Sequence, residues 1–195
     1  MKKAIAILLV LLVAGVAFGA DTLTLESTVA GVLKHGFLAD AITTVNFGQI
    51  IAGVSDAGVD NDYDEIDLFG EGQTVGHYYF AANTANTGYK VSFVVNPIAS
   101  NAASFEVPYT LTLTEEAKSP NVTLKTTDIS TLGTLGGDLT PSAAVNVIAT
   151  ASGATGPKYA GLTLAIVIDG AANEAYGLPA ANDYTGTIVA TVTTH

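Results

Sequence analysis

The sequence predicts an all-β fold, an antiparallel sandwich or barrel. Helical periodicity is nearly missing beyond the first twenty residues, and Thr, Val, Ala and Gly dominate instead. Clusters of Gly, Asn, Asp and Pro interrupt the chain at short intervals, as turns between many short strands do. Several stretches alternate apolar and polar residues with a period of two, which places one face on a core and the other in water.

The chain opens "MKKAIAILLVLLVAGVAFGA", with Lys2 and Lys3 ahead of an almost wholly apolar run from Ala4 to Val16. A basic start, a short apolar stretch and small residues together predict a secretory signal peptide and not a membrane anchor. Cleavage after Gly19 puts Ala17 and Gly19 at the two small-residue positions, and no Cys lies nearby to take a lipid. A secreted or cell-surface location is therefore expected, with no integral membrane segment after cleavage. The roughly 176 residues that remain, 20–195, are enough for one well-cored sandwich domain, and no internal boundary is expected. Cleavage removes two lysines and no acid, leaving five cations against 18 acids, a formal charge of −13, with no Arg. That balance makes the chain a poor candidate for binding nucleic acid or anionic lipid, and no nucleic-acid partner is expected. Cysteine is absent, so no disulfide or thiolate metal site exists, and stability rests on burial by a chain that is 49% hydrophobic.

Nine strands are expected, over 22–33, 42–50, 73–82, 88–95, 107–114, 121–127, 143–150, 159–169 and 184–194. In "GYKVSFVV", Tyr89, Val91, Phe93 and Val95 share one face and Lys90 and Ser92 the other. In "VPYTLTLT", Tyr109, Leu111 and Leu113 oppose Thr110, Thr112 and Thr114. Two strands break the rule. "YAGLTLAIVID" carries Leu162, Leu164, Ile166 and Ile168 on one face with Ala165 and Val167 on the other, and "GTIVATV" sets Val189 opposite Ile188, Ala190 and Val192. Cover from within the same domain is the plainer reading of these second faces; cover by another subunit is the sharper one. The stretch 131–143 reads as a loop or a hairpin turn around Gly136-Gly137.

Chemistry is sparse. From Asp56 to Glu71 the chain holds seven carboxylates and no Lys. Asp60, Asp62, Asp64 and Glu71 fall at positions 1, 3, 5 and 12 of a calcium-loop template, with Asp67 and Tyr63 nearby. Glu65 stands where that template needs Gly, Asp67 where it needs an apolar residue, and no flanking helix is expected. A solvated acidic loop is therefore favoured over a Ca2+ site. Nucleophile motifs are missing: there is no Gly-x-Ser-x-Gly and no Ser-x-x-Lys. His77, in the strand "TVGHYYFA", is expected to be a partly exposed strand residue and not a catalytic base. "GEGQTVG" (70–76) lacks the Lys of a phosphate cradle and leads into a strand, so it reads as a turn. Asn121-Val122-Thr123 is a glycosylation tripeptide that chance alone supplies. A non-enzymatic protein is expected.

The stretch "YGLPAANDYTGTIVATVT" (176–193) resembles exported bacterial proteins of the spore coat protein U and chaperone–usher fimbrial, pilin-like, type. Tyr176, Gly177, Pro179, Ala180, Tyr184, Thr187, Val189, Thr191 and Thr193 carry the resemblance. "VNFGQI" (45–50), "GYKVSFVV" (88–95) and "VPYTLTLT" (107–114) are similar to earlier strands of those families. Coat U proteins usually carry Cys, absent here, and lack an acidic insert like 53–72. The resemblance implies an immunoglobulin-like sandwich, closed by a neighbour's N-terminal strand, which builds a pilus, fibre or coat. Its partners would be further copies or related subunits, with a periplasmic chaperone and an usher on the export route. A donor-like segment lies within 20–34, where Leu23, Leu25, Ser27, Val29, Gly31 and Leu33 alternate. The first strand of a self-complete sandwich is the other reading of that segment. The residues expected at an assembly interface are Leu23, Leu25, Val29, Gly31, Leu33, Tyr184, Ile188, Val189, Ala190 and Val192. A calcium-assisted adhesin or carbohydrate-binding sandwich, using Asp60, Asp62, Asp64, Asp67 and Glu71, is the alternative function.

Overall fold

A computed structural model describes residues 31–54, 66–181 and 183–195. They form an all-β arrangement of antiparallel sheets with two short helices. The strands are β1 (Leu33–Leu38), β2 (Gln73–Ala82), β3 (Tyr89–Val95), β4 (Ile98–Ser100), β5 (Phe105–Val107), β6 (Thr110–Lys118), β7 (Val122–Leu124), β8 (Ile129–Ser130), β9 (Val145–Thr150), β10 (Lys158–Val167) and β11 (Ile188–Thr194). The helices are α1 (Phe47–Gly53) and α2 (Gly170–Tyr176). One sheet has the order β1-β2-β10-β6-β8 and a second the order β11-β3-β9-β7; β4 and β5 form a small hairpin.

Side chains of the two larger sheets share one hydrophobic cluster. Tyr78, Phe80 and Ala82 of β2 and Leu162, Leu164 and Ile166 of β10 meet Tyr89, Val91, Phe93 and Val95 of β3 in it. The alternation expected for β3 and β6 is the alternation observed: residues 89, 91, 93 and 95 are buried, and so are Leu111 and Leu113. Aromatic edges tie the sheets together, with Tyr78 and Phe93 ring centres 5.0 Å apart and Phe80 and Tyr89 5.7 Å apart.

A second, smaller cluster lies on the other face of β2. Ile50 and Val54 press on Tyr79 and Ala81, with Ile42, Val45, Phe47 and Tyr159 around them. β2 is thus buried on both faces by its own chain. The same cover reaches one end of β10, where a Cβ on Gly161 would come within 2.9 Å of Val45 and 2.8 Å of Tyr79. At the other end of β10 the cover stops and Val167 is 47% exposed.

Three expectations need correction. The strand expected over 42–50 is a loop followed by α1. Asn46 caps this helix, its Oδ1 accepting from the Gln49 N–H at 3.0 Å, and the apolar residues then follow helical spacing onto Tyr79 and Ala81. This also removes one of the segments that carried the resemblance, and it places a helix just before the acidic stretch, where none was expected. The first strand was expected over 22–33, most of which lies outside the described residues; β1 instead runs through "LKHGFL". Gly36 makes that run look like a turn, yet its missing Cβ is what lets Val54 sit on the strand, 3.3 Å from where that Cβ would be. Finally, 159–169 ends early, and α2 begins with Asp169 as its N-cap and closes on Gly177 at φ 73°.

Candidate functional site

A strand at the edge of a sheet presents a row of N–H and C=O groups, and proteins guard such rows with charge, bulges, proline or short length. The edges of this molecule differ sharply in how they are guarded. β7 is three residues long, and so are β4 and β5. β8 covers only Thr110 and Leu111 of β6. The stretch of β6 beyond carries Glu115 and Lys118, joined at 2.7 Å, and a register shift opposite Gly161/Leu162 that leaves Glu116 as the extra residue. β1 carries Lys34 and an interior glycine.

β11 has none of these guards. "IVATVTT" contains no charge, no proline and no glycine. It pairs with β3 over all seven residues without a register shift, and no described residue pairs with its other side. Two flanking ladder bonds fix which groups face outward. Asn96 N–H donates to Thr187 C=O at 2.9 Å, and His195 N–H to Gly88 C=O at 3.0 Å. Odd-numbered residues therefore bond β3, while Ile188, Ala190, Val192 and Thr194 turn their N–H and C=O to the free edge. The side chains of Ile188, Ala190 and Val192 point inward and pack on the core cluster while remaining only partly buried. Val189 lies on the opposite face and is 46% exposed.

The edge strand of the other sheet, β1, approaches the same place. Phe37 packs its ring 5.9 Å from that of Phe93, and Phe93 is the ladder partner of Ala190. His35, also inward-facing, is half-buried, with its Nδ1 3.1 Å from the Tyr78 hydroxyl. Burial lowers the pKa of His35 and raises that of Tyr78.

Of the other interface residues expected, Leu23, Leu25 and Val29 lie outside the described residues. Gly31 and Leu33 do not belong to a detachable arm. Val32 N–H donates to Asn83 Oδ1, Asn83 N–H donates to Val32 C=O, and Leu33 is already in register with Ala82. Tyr184 is engaged within the chain, donating to Pro179 C=O at 3.0 Å. Beside it Asp183 accepts from Ser100 and from Ala102 N–H, which lowers its pKa and staples the β4–β5 hairpin to the approach of β11.

The remaining chemical candidates divide in the same way. Asp60, Asp62, Asp64 and Tyr63 lie outside the described residues. Asp67 caps its own turn through Phe69 N–H and holds Gln73, Glu71 is exposed, and no cluster of three potential metal ligands occurs among the described residues. His77 is a partly exposed residue of β2, as expected. Its Nδ1 meets Glu116 Oε1 at 2.5 Å, and Glu116 also accepts from Tyr79 and Thr163 at 2.8 Å each. Tyr79 in turn accepts from Ile42 N–H at 2.8 Å. Thr163 Oγ1 donates to Glu116 Oε1 at 2.8 Å and lies 3.5 Å from His77 Nδ1, so the carboxylate is its nearer partner. What the network does is pin the 39–46 loop to the sheet. The bulge at Glu116 builds it, a feature of pairing that period-two reading does not reveal.

Among the described residues no helix is long and apolar enough to cross a membrane. No family model, no curated protein and no solved structure matches the chain.

Proposed function

We propose that the protein is an exported structural subunit of a bacterial pilus, fibre or surface coat, assembling by strand addition at β11. The observation that carries this reading is the contrast between edges: among the described residues every other edge is short, bulged or charged, and β11 is long, regular, uncharged and without a partner on one side. An added strand would satisfy the outward N–H and C=O groups of Ile188, Ala190, Val192 and Thr194. It would also finish burying the side chains of Ile188, Ala190 and Val192, which are only partly buried. The immunoglobulin-like, pilin-like topology suggested by "YGLPAANDYTGTIVATVT" fits this reading, since in those families the last strand borders the place where a partner strand adds.

The donor is the N-terminal segment of a neighbouring copy. Because Val32 is hydrogen-bonded to Asn83 and Leu33 begins β1, the donor is confined to 20–30. Those eleven residues reach about 36 Å when extended, longer than the seven residues of β11. Such a head-to-tail contact does not close on itself and so builds a filament. The test is gel migration of the mature protein without boiling, because strand-added polymers persist as a ladder. The reading predicts a ladder for the full mature chain and one band when 20–30 are deleted. A single band from the full chain at high concentration overturns it.

A further inference from the structure

Beside the proposed acceptor edge, β1 of the other sheet carries a histidine on its inward face; on β11 itself the polar residue of that alternation, Thr194, is exposed at the strand's end. Of the inward-facing side chains of β1 and of Ile188 to Val192 in β11, Leu33, Phe37, Ile188, Ala190 and Val192 are apolar and His35 is not. Its partner is the hydroxyl of Tyr78, buried in the core floor. When that O–H donates to Nδ1, the ring proton resides on Nε2, and no described residue bonds Nε2. Among the described residues no ionisable group other than Tyr78 bonds the ring. Lys34 turns away to the carbonyls of Ile51 and Val54, Lys158 donates to Thr84 C=O, and the facing residues of β3, Val91 and Phe93, are apolar.

An imidazole N–H left at such a place has a consequence for whatever strand covers it. Covering it with an apolar side chain strands a buried donor, whereas covering it with a hydroxyl satisfies it. The alternating set in 20–30 reads Leu23, Leu25, Ser27, Val29, with a single hydroxyl among aliphatic residues. Burying that hydroxyl among apolar groups would be unfavourable for the same reason.

We propose that His35 determines the register of the incoming strand, by hydrogen bonding to Ser27 of a second copy. This rests on the strand-addition reading above and goes beyond it. It assigns one residue on each side, and it selects one register among those that alternation by two would allow.

The test compares ladder formation rates for four mature chains: wild type, Ser27→Leu, His35→Leu and the double variant. Ser27→Leu leaves the acceptor untouched, and an apolar groove would take leucine gladly. The proposal expects the opposite, assembly slower by about tenfold, because the His35 N–H is left unpaired. His35→Leu slows assembly similarly, and the double variant, with two apolar groups meeting, recovers most of the rate. His35→Gln, which keeps donors and an acceptor, stays near wild type and guards against a simple folding defect, as does the melting temperature of each variant. Ser27→Leu assembling as fast as wild type or faster, or a double variant as slow as the product of the singles, overturns the proposal while leaving strand addition standing. No ladder from wild type removes both.

Discussion

At the scale of single residues, the polar side chains of this molecule are mostly fasteners. Glu116 is the clearest, since one carboxylate accepts from His77, Tyr79 and Thr163 on two different strands. Replacing it with Ala removes the acceptor for all three and leaves the Tyr79 hydroxyl to Ile42 alone. The expected loss is about 2 kcal/mol in urea unfolding. A loss under a few tenths would mean the network is ornamental. His35 behaves in the other direction. Burial lowers its pKa, so the folded state binds its proton less readily than the unfolded chain does. Stability therefore rises with pH across the interval between the folded value and the ordinary 6.5, is complete above 6.5, and falls as the medium is acidified below it. Melting temperature followed against pH should show this slope, and His35→Gln should flatten it. An unchanged slope in the variant would place the titration elsewhere.

At the scale of elements, what the sequence discloses depends on whether local pattern or distant pairing decides the outcome. β3 and β6 are legible because their alternation is the alternation of the core. α1 and α2 were not expected, because their signals lie in capping and not in periodicity. Asn46 with Gln49 three residues on, and Asp169 with Gly177 past the end, are start and stop signals around runs too short to show a helical stripe. Asn46→Ala and Asp169→Ala should each cost about 1 kcal/mol in urea unfolding. β1 is not legible, because Gly36 looks like punctuation until Val54, eighteen positions away, is seen resting on it. The candidate site is half legible. Ile188, Val189, Ala190 and Val192 stand out as a strand with too much apolar surface. That its edge is the one left unguarded needs the sheet order, which no single strand encodes. Nor could His35 be suspected, because its partner Tyr78 lies 43 positions away.

At the scale of the whole molecule, an acidic chain without cysteine keeps its fold by burying one core between two sheets and a second, smaller one under the 38–54 segment. Strand addition at β11 would extend the first core. If Ile188, Ala190 and Val192 gain cover in that way, polymer should melt well above monomer, as binding to the folded state alone requires. Scanning calorimetry of the two fractions checks this; equal melting temperatures would mean that the contact does not complete the core.

The most direct measurement concerns Ala190. Its N–H faces the free edge and not β3, so Ala190→Pro removes a donor needed only by an added strand, while Thr191→Pro removes one that β3 uses. Sedimentation of the mature chain should show polymers for wild type. For Ala190→Pro it should show a monomer with nearly native melting temperature, and for Thr191→Pro a destabilised fold. Polymerisation of Ala190→Pro at the wild-type rate would contradict assembly through this edge.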